Sequence, residues 1–582
     1  MLGVKRGGAA VRLVGVCAQV AALSLAACSS STQAPGDQGT AGSSTMNPGT
    51  AGTTGSPAGG SGSGGSSGVT PPAAAAQVSV TTLRRLNRIE YANTLRDLTG
   101  TATDYSKDFP AENLSFGFDN IGEALTVQPL HVEQYEKSAE KVVGELFARP
   151  ATDPFRARFL TCDPASGRAC MSTALVTFAQ YAYRRLVTEA EVSGLLDIAQ
   201  DFVATGGTAD EGLKLAFKGV LMSPHFLYRV ELDADPTSKE PHRLSGFELA
   251  SRLSYYLWST MPDQPLLAEA QQGTLTTDAT LTAQVERMLA DPRSQALVSN
   301  FAGQWLNIRR IDQVQPDKMV FAAFDDELRA AMHKESDLFF NEILTQARPV
   351  SELLSGTFTF VNAKLAAYYG LPAPAGSDFV RVDLAGTPRV GVLTQGSFLT
   401  LTSNPTRTSP VKRGKWVLDQ LLCSPPPPPP PGVDTSLGDV GATTSLRKRL
   451  EAHREKEPCK SCHAVMDPIG LSFENFDGVG KYRTEDQFGP IDATGTLPTE
   501  TGDVSFQGAS QLVPVLAQDA RLAQCAAEKV LTYAIGRGYS VADKATIDAV
   551  LAASSATNKG LRGLIATVAS SEPFRSRRAV GE

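Results

Sequence analysis

Five consecutive residues, Cys459-Lys460-Ser461-Cys462-His463, carry the sharpest chemistry in the chain. Two thiols three positions apart, followed at once by an imidazole, form the C-x-x-C-H string that attaches a c-type haem. On one helical turn both sulfurs face the same way and can each add to a porphyrin vinyl group, while the imidazole reaches the iron as proximal ligand. The reading is covalent haem c on Cys459 and Cys462, with His463 on the iron. Two other chemistries use such a pair. A thioredoxin-like redox disulfide belongs in a βαβ setting that Pro458 and Met466-Asp467-Pro468 do not suggest; a zinc site needs four ligands, and no second Cys pair lies nearby.

The sixth iron position has no donor downstream. No His follows His463, and the one later Met, Met466, stands on the proximal side of the ring. A protein ligand must come from upstream. His453 is the nearest candidate; Met222, His225, Met319, Met332 and His333 are more remote. With none of them bound, the iron would be five-coordinate and open to peroxide or oxygen. The run from Leu471 to Arg483 supplies aromatics for packing on the macrocycle. Arg483, or Lys412, Arg413 and Lys415 beside Trp416, could pair with haem propionates, although solvated turn and helix charges are the plainer reading of each.

Cysteine use points to an oxidising compartment. Of eight Cys, Cys17 and Cys28 lie at the start and Cys459 and Cys462 in the motif, leaving Cys162, Cys170, Cys423 and Cys525. An even remainder predicts two disulfides, with three pairings possible. Cys162 and Cys170 flank a short Gly-containing loop and pair, so that Cys423 joins Cys525 and clamps the motif between its neighbours. The start of the chain agrees. Lys5, Arg6 and Arg12 precede an apolar stretch from Leu13 to Ala27, and Leu25-Ala26-Ala27-Cys28 resembles a bacterial lipobox, in which the cysteine takes the lipid. Ser29 and Ser30 resemble the sorting pattern for the outer membrane. The expectation is an exported protein anchored through Cys28 on the periplasmic or cell-surface face.

Composition limits the rest. A chain of 582 residues with 42% hydrophobic residues is too long for one core and suggests about four domains. Its 54 Lys and Arg against 61 Asp and Glu give −7, which argues against nucleic-acid binding by phosphate neutralisation. There is no collagen-like Gly period, sustained heptad or second long uncharged apolar run. From Ser29 to about Gln77 only Asp37 is charged and nothing can seed a core, so the segment reads as a flexible tether with an end-to-end distance of roughly 40 Å.

From Thr81 onward helical spacing dominates. Leu83, Leu86, Ile89, Leu95 and Leu98 form one stripe, with Arg84, Arg85, Arg88 and Arg96 as a solvated basic face of the same helix. Ser245-Gly-Phe-Glu248 has the spacing of a capping box and opens a helix through Trp258. Residues 324–345 are a long amphipathic segment, and Phe379 to Asp383 a strand. Gly212 to Arg229 aligns without gaps with Gly560 to Arg577, two helices that each end in a Pro-containing aromatic-Arg corner, which suggests a repeat. Pro425 to Pro431 predict a polyproline rod of roughly 20 Å, read as a stiff spacer. The fold class is mainly α: a multi-domain helical body with an embedded cytochrome c-like haem module and few short strands. Its expected order is a leader (1–27), a tether (28–78), helical modules (79–150, 155–235 and 240–372), the haem module (385–490) and a C-terminal helical module (505–580).

Leu83 to Tyr91, Ser223 to Arg229, Leu253 to Trp258, Phe360-Val-Asn362, Arg407 to Pro410 and Cys459 to Asp477 together resemble the planctomycete-type cytochrome c family, over nearly all of residues 80–577. Its members string together several modules, one of which carries the haem motif. The resemblance implies an exported haem protein, with His453, Cys459, Cys462, His463 and Met466 matching the haem-module pattern, and no particular substrate. Some related proteins carry a further cytochrome-like module at the front, where this chain has its Ser/Gly tether. The expected function is electron transfer by one covalent haem to a redox partner protein. The alternatives are a haem oxidoreductase acting on peroxide or an extracellular polymer, and a non-redox binding or scaffold protein in which the Cys pair staples a loop.

Overall fold

The computed structural model describes residues 78–428 and 444–578, apart from 79, 81, 234, 236, 455–458 and 500–501. The leader, Cys28, the tether and Pro429 to Pro431 lie outside the described residues. The rest is mainly α-helical, with short two-stranded antiparallel ladders.

Local sequence sets the helix ends. Asn87 accepts from the backbone N–H of Glu90, and the Glu90 side chain accepts from that of Asn87, so the first long helix runs Arg88–Thr99. Gly100 ends it in the left-handed conformation at φ 72°. Arg84 and Arg85 therefore precede the helix and do not ride its solvent face. They form a two-residue strand against Tyr228–Arg229, and both are buried. This corrects the solvated basic face expected there. Arg85 donates to Glu112 at 2.9 Å, and burial holds Arg84 well below the usual guanidinium range.

The expected repeat is present in the backbone. Helix Ala209–Met222 leads into Pro224–Leu227 and the strand Tyr228–Arg229; Gly560–Ser570 leads into Glu572–Arg575 and the strand Ser576–Arg577. The first strand pairs with Arg84–Arg85, the second with His242–Arg243. One buried arginine holds each corner. Arg184 donates to the carbonyls of His225, Phe226 and Tyr228 at 2.9, 3.1 and 2.6 Å. Arg252 donates to those of Pro573, Phe574 and Ser576 at 3.0, 2.9 and 3.1 Å.

Ser245 and Glu248 form the expected capping box on helix Gly246–Trp258, whose residues Arg252 to Trp258 are all buried. The Trp258 indole donates to the Met288 carbonyl at 2.9 Å. Helix Asp326–Thr345 occupies the long amphipathic segment, and Val380–Asp383 pairs antiparallel with Phe358–Val361. One large core runs from Phe118 to Phe574 and includes Trp258, Trp305, Phe398, Phe473 and Leu531; a second, built mainly from the helices before Met222, packs beside it. Among the described residues no helix is long and apolar enough to cross a membrane.

Both expected disulfides are formed, Cys162–Cys170 and Cys423–Cys525. They close loops of very different length, 8 and 102 residues of separation. Loop-closure entropy therefore predicts unequal losses. Replacing Cys423 and Cys525 by Ser is expected to lower the unfolding free energy by about 4.7 kcal/mol, and replacing Cys162 and Cys170 by about 2.5 kcal/mol, measured by urea denaturation.

Candidate functional site

The C-x-x-C-H string opens a helix, Cys459–Leu471, called here the motif helix. Cys459 and Cys462 lie one turn apart as free, half-buried thiols. His463 follows with 15% of its side chain exposed. Its Nδ1 lies 2.9 Å from Oδ1 of Asp467, one turn further along, and that carboxylate is fully buried. The other Asp467 oxygen, Oδ2, is buried with no hydrogen-bond partner among the described residues. Engaging Nδ1 leaves Nε2 as the ring's free nitrogen.

Helix Pro410–Trp416 buttresses the motif helix. The two approach so closely that a Cβ on Gly414 would run into the Met466 carbonyl, and one on Gly470 into the Pro410 carbonyl. These are positions where only glycine fits. Beside Gly414, Arg413 is fully buried and donates to the carbonyls of Phe473, Phe476 and Asp477 at 2.6, 3.0 and 2.8 Å. It also pairs with Glu474 at 3.3 Å. Burial lowers its pKa to about 10, against the opposing pull of Glu474, so it stays charged at neutral pH. Arg413 thus has no free face for a propionate and is not a solvated helix charge. Phe473 and Phe476 are likewise inside, where Phe473 packs on Phe398 and Phe476 on Tyr482. Arg483 is drawn to Glu474, its Nε donating to the Glu474 carbonyl at 3.2 Å. Lys412 donates to Ser403 and Lys415 pairs with Asp419.

Of the upstream ligand candidates, the structure brings one to the motif. His453, on helix Leu446–Arg454, sets its ring 5.1 Å from that of His463 at 68°. The others are placed elsewhere. His225 packs on Tyr183, Met332 lies in a core with Phe324 and Leu365, Met222 packs against the front helices, and His333 faces Asp312. Met319 is 93% exposed, and Met466 is buried in the large core. Among the described residues no three His, Cys, Asp or Glu side chains gather as a metal site.

A cleft of about 960 Å³ runs along the opposite face of the motif helix, lined there by Lys460, Ala464, Pro468 and Leu471 and, across from them, by Arg454 and Phe506. At 3.6 residues per turn these four positions turn away from Cys459 and Cys462.

The motif region is also tied to the helix Asp326–Thr345. Buried Glu335 accepts from Thr359 and Tyr369, each at 2.6 Å, and Tyr369 accepts from the Gly396 N–H. Arg389 stacks on the Tyr369 ring at 3.5 Å and donates to the Gly480 carbonyl at 2.6 Å. Burial pushes the Glu335 carboxyl up to about 7, overriding the lowering by its hydrogen bonds and by Arg389.

Five family models, each described as a protein of unknown function, match in succession: DUF1587 over 84–148, DUF1595 over 170–231, DUF1592 over 244–371, DUF1588 over 389–486 and DUF1585 over 502–574. The set and its order decide the family. The chain belongs to the planctomycete-type cytochrome c family. Within that family the DUF1588 segment, whose model is named PSCyt3, holds Cys459, Cys462, His463 and Asp467. No curated protein and no solved structure matches the chain.

Read from the sequence, Asp467 is passed over as a site residue and Arg413 is named only as a possible propionate partner, without its role as a clamp. Asp467 had a legible signal, since a His and an Asp four apart face each other on a helix. Arg413 had none, because its partners are carbonyls sixty residues away.

Two outcomes are expected. Arg413→Met removes the buried cation that pairs with Glu474 and the fork that serves three carbonyls, and should lower the unfolding free energy by about 3–5 kcal/mol in urea. Glu335 binds its proton more tightly folded than unfolded, so its contribution to stability falls as pH rises from its ordinary value of 4.5 to about 7, and is level above. Glu335→Gln should lack that slope, so the difference between the two proteins' stability–pH curves should fall between those pH values and be level above.

Proposed function

We propose that this protein is an exported, lipid-anchored c-type cytochrome that passes single electrons through one haem. Cys459 and Cys462 hold the ring by two thioether links, and His463 presents Nε2 to the iron. The group supplies a one-electron couple between ferrous and ferric iron. The observation that carries this reading is the thiol pair at the start of the motif helix, free and half-exposed, beside an imidazole whose other nitrogen is already engaged. Donor set and accessibility both fit covalent attachment. The thiols must be reachable after export, and the half-exposed end of the motif helix leaves them so, while its other end is locked in the core.

His453 is the proposed ligand on the opposite face. It is the one upstream candidate beside His463, its ring 5.1 Å from that of His463, and it would hold the iron together with His463. The helix that carries it is joined to the motif helix through residues 455–458. Cys28 supplies the lipid anchor, and the Ser/Gly-rich segment from Ser29 to about Gln77 spaces the body from the membrane. The partner is a redox protein outside the cytoplasm.

Expression with haem-maturation machinery tests this. Acid-extracted wild-type chain should keep its pigment, and Cys459→Ser with Cys462→Ser should lose it. The reduced protein should be low-spin and indifferent to carbon monoxide, whereas His453→Ala should become high-spin and bind the gas. Gas binding by the wild type would transfer the assignment to an open-site oxidoreductase. A colourless wild type would leave a scaffold.

A further inference from the structure

The His463–Asp467 pair has a consequence that haem attachment alone does not require. Asp467 is fully buried, and its only ion-pair partner among the described residues is His463. One carboxylate oxygen takes the Nδ1 proton at 2.9 Å; the other has no hydrogen-bond partner. A buried carboxylate left half-satisfied is expensive in the bare chain. Nothing in the packing of the helix calls for it. Positions around it, Met466, Pro468, Ile469 and Leu471, are apolar and buried, and an apolar side chain of similar size would suit the same space. What offsets such a charge is positive charge arriving at the other nitrogen of the same ring.

We infer that Asp467 is a positioning residue that sets the reduction equilibrium of the iron bound at His463, holding it on the ferric side. The inference rests on the haem reading above. A carboxylate on Nδ1 fixes the tautomer and raises the basicity of Nε2. A more basic ligand, with an uncompensated negative charge behind it, stabilises the oxidation state of higher positive charge. The step is one electron and balances as such: ferric iron takes one electron from the donor and becomes ferrous, and no proton need move. Because the carboxylate is out of water, its effect is little screened by salt. The protein is thereby made a ready donor, and the partner that accepts its electron must lie at higher potential.

The experiment is a mediated potentiometric titration of the full-length, matured holoprotein, followed by its absorption spectrum. Asp467→Asn keeps size and a hydrogen-bond acceptor while removing the charge. It is expected to keep both thioether links and to favour the ferrous form at least tenfold more than the wild type, a rise of about 59 mV in midpoint. Asp467→Glu should return most of the shift, which a merely structural role would not do. A midpoint unchanged in Asp467→Asn, with pigment and ligation intact, overturns the inference and leaves the haem assignment standing. Should Asp467→Asn not fold, resonance Raman of the ferrous His453→Ala protein decides: a strengthened iron–nitrogen stretch relative to a neutral imidazole supports the role, and an ordinary one overturns it. A wild type without covalent pigment removes the haem assignment itself and this inference with it.

Discussion

A buried guanidinium aimed at the carbonyls of an aromatic corner is the interaction on which this structure depends, and among the described residues Arg184, Arg252 and Arg413 each make it. Arg184 holds the corner at His225 to Tyr228, Arg252 the corner at Pro573 to Ser576, and Arg413 the corner at Phe473 to Asp477. The physical need is the same in each. The chain leaves a helix and turns sharply while an aromatic ring, Phe226, Phe574 or Phe473, is driven into the core. Its carbonyls go inside with the ring, where the turn's own bonds, such as Phe476 N–H to the Phe473 carbonyl, serve only part of their accepting capacity. One planar fork satisfies several of them at once, which an ammonium could not do with the same geometry. Each cation is itself compensated: Glu231 at 2.6 Å for Arg252, Glu474 for Arg413, and the Tyr255 hydroxyl and ring for Arg184.

The third clamp makes the site possible. It ties the buttress helix to the chain just beyond the motif helix, and Gly414 and Gly470 let the two helices meet backbone to backbone. The motif helix is thus rigid at one end and half-exposed at the other, where Cys459 and Cys462 stand. That gradient reconciles two demands. Under the proposed attachment, thiols that react after export must be reachable. The imidazole that follows must be held in one orientation, and Asp467, anchored at the buried end, holds it there.

What could be read from the sequence was what is local. The capping box at Ser245 and Glu248, the helix 326–345, the strand before Leu384 and both disulfides follow from short-range spacing or from counting, and the structure has all of them. The misreadings share one cause. Arg84, Arg85 and Arg413 look like surface charge, because an arginine's burial is set by distant carbonyls and carboxylates that composition does not reveal. The boundary at Arg88 was in fact legible: Asn87 and Glu90 have capping-box spacing, and the Leu stripe running through them from Leu83 hid it. Asp467 was obscured by Pro468, which suggests a helix end, although the helix continues to Leu471.

The five matched segments are not five beads. The large core takes Trp305 and Phe340 from the DUF1592 segment, Phe398, Trp416 and Phe473 from the DUF1588 segment, and Leu512, Leu531 and Phe574 from the DUF1585 segment. Trp305 donates its indole N–H to the Gln420 carbonyl at 2.7 Å, and the Cys423–Cys525 bond fastens the same stretch from the other side. The segment bearing the motif therefore borrows most of its apolar support from neighbours, and its boundaries mark units of sequence descent more than units of folding. The motif sits at the margin of the large core, so the stiffness that orients His463 is drawn from the whole body. Part of that body is thus accounted for as the scaffold that holds one half-exposed helix end in place.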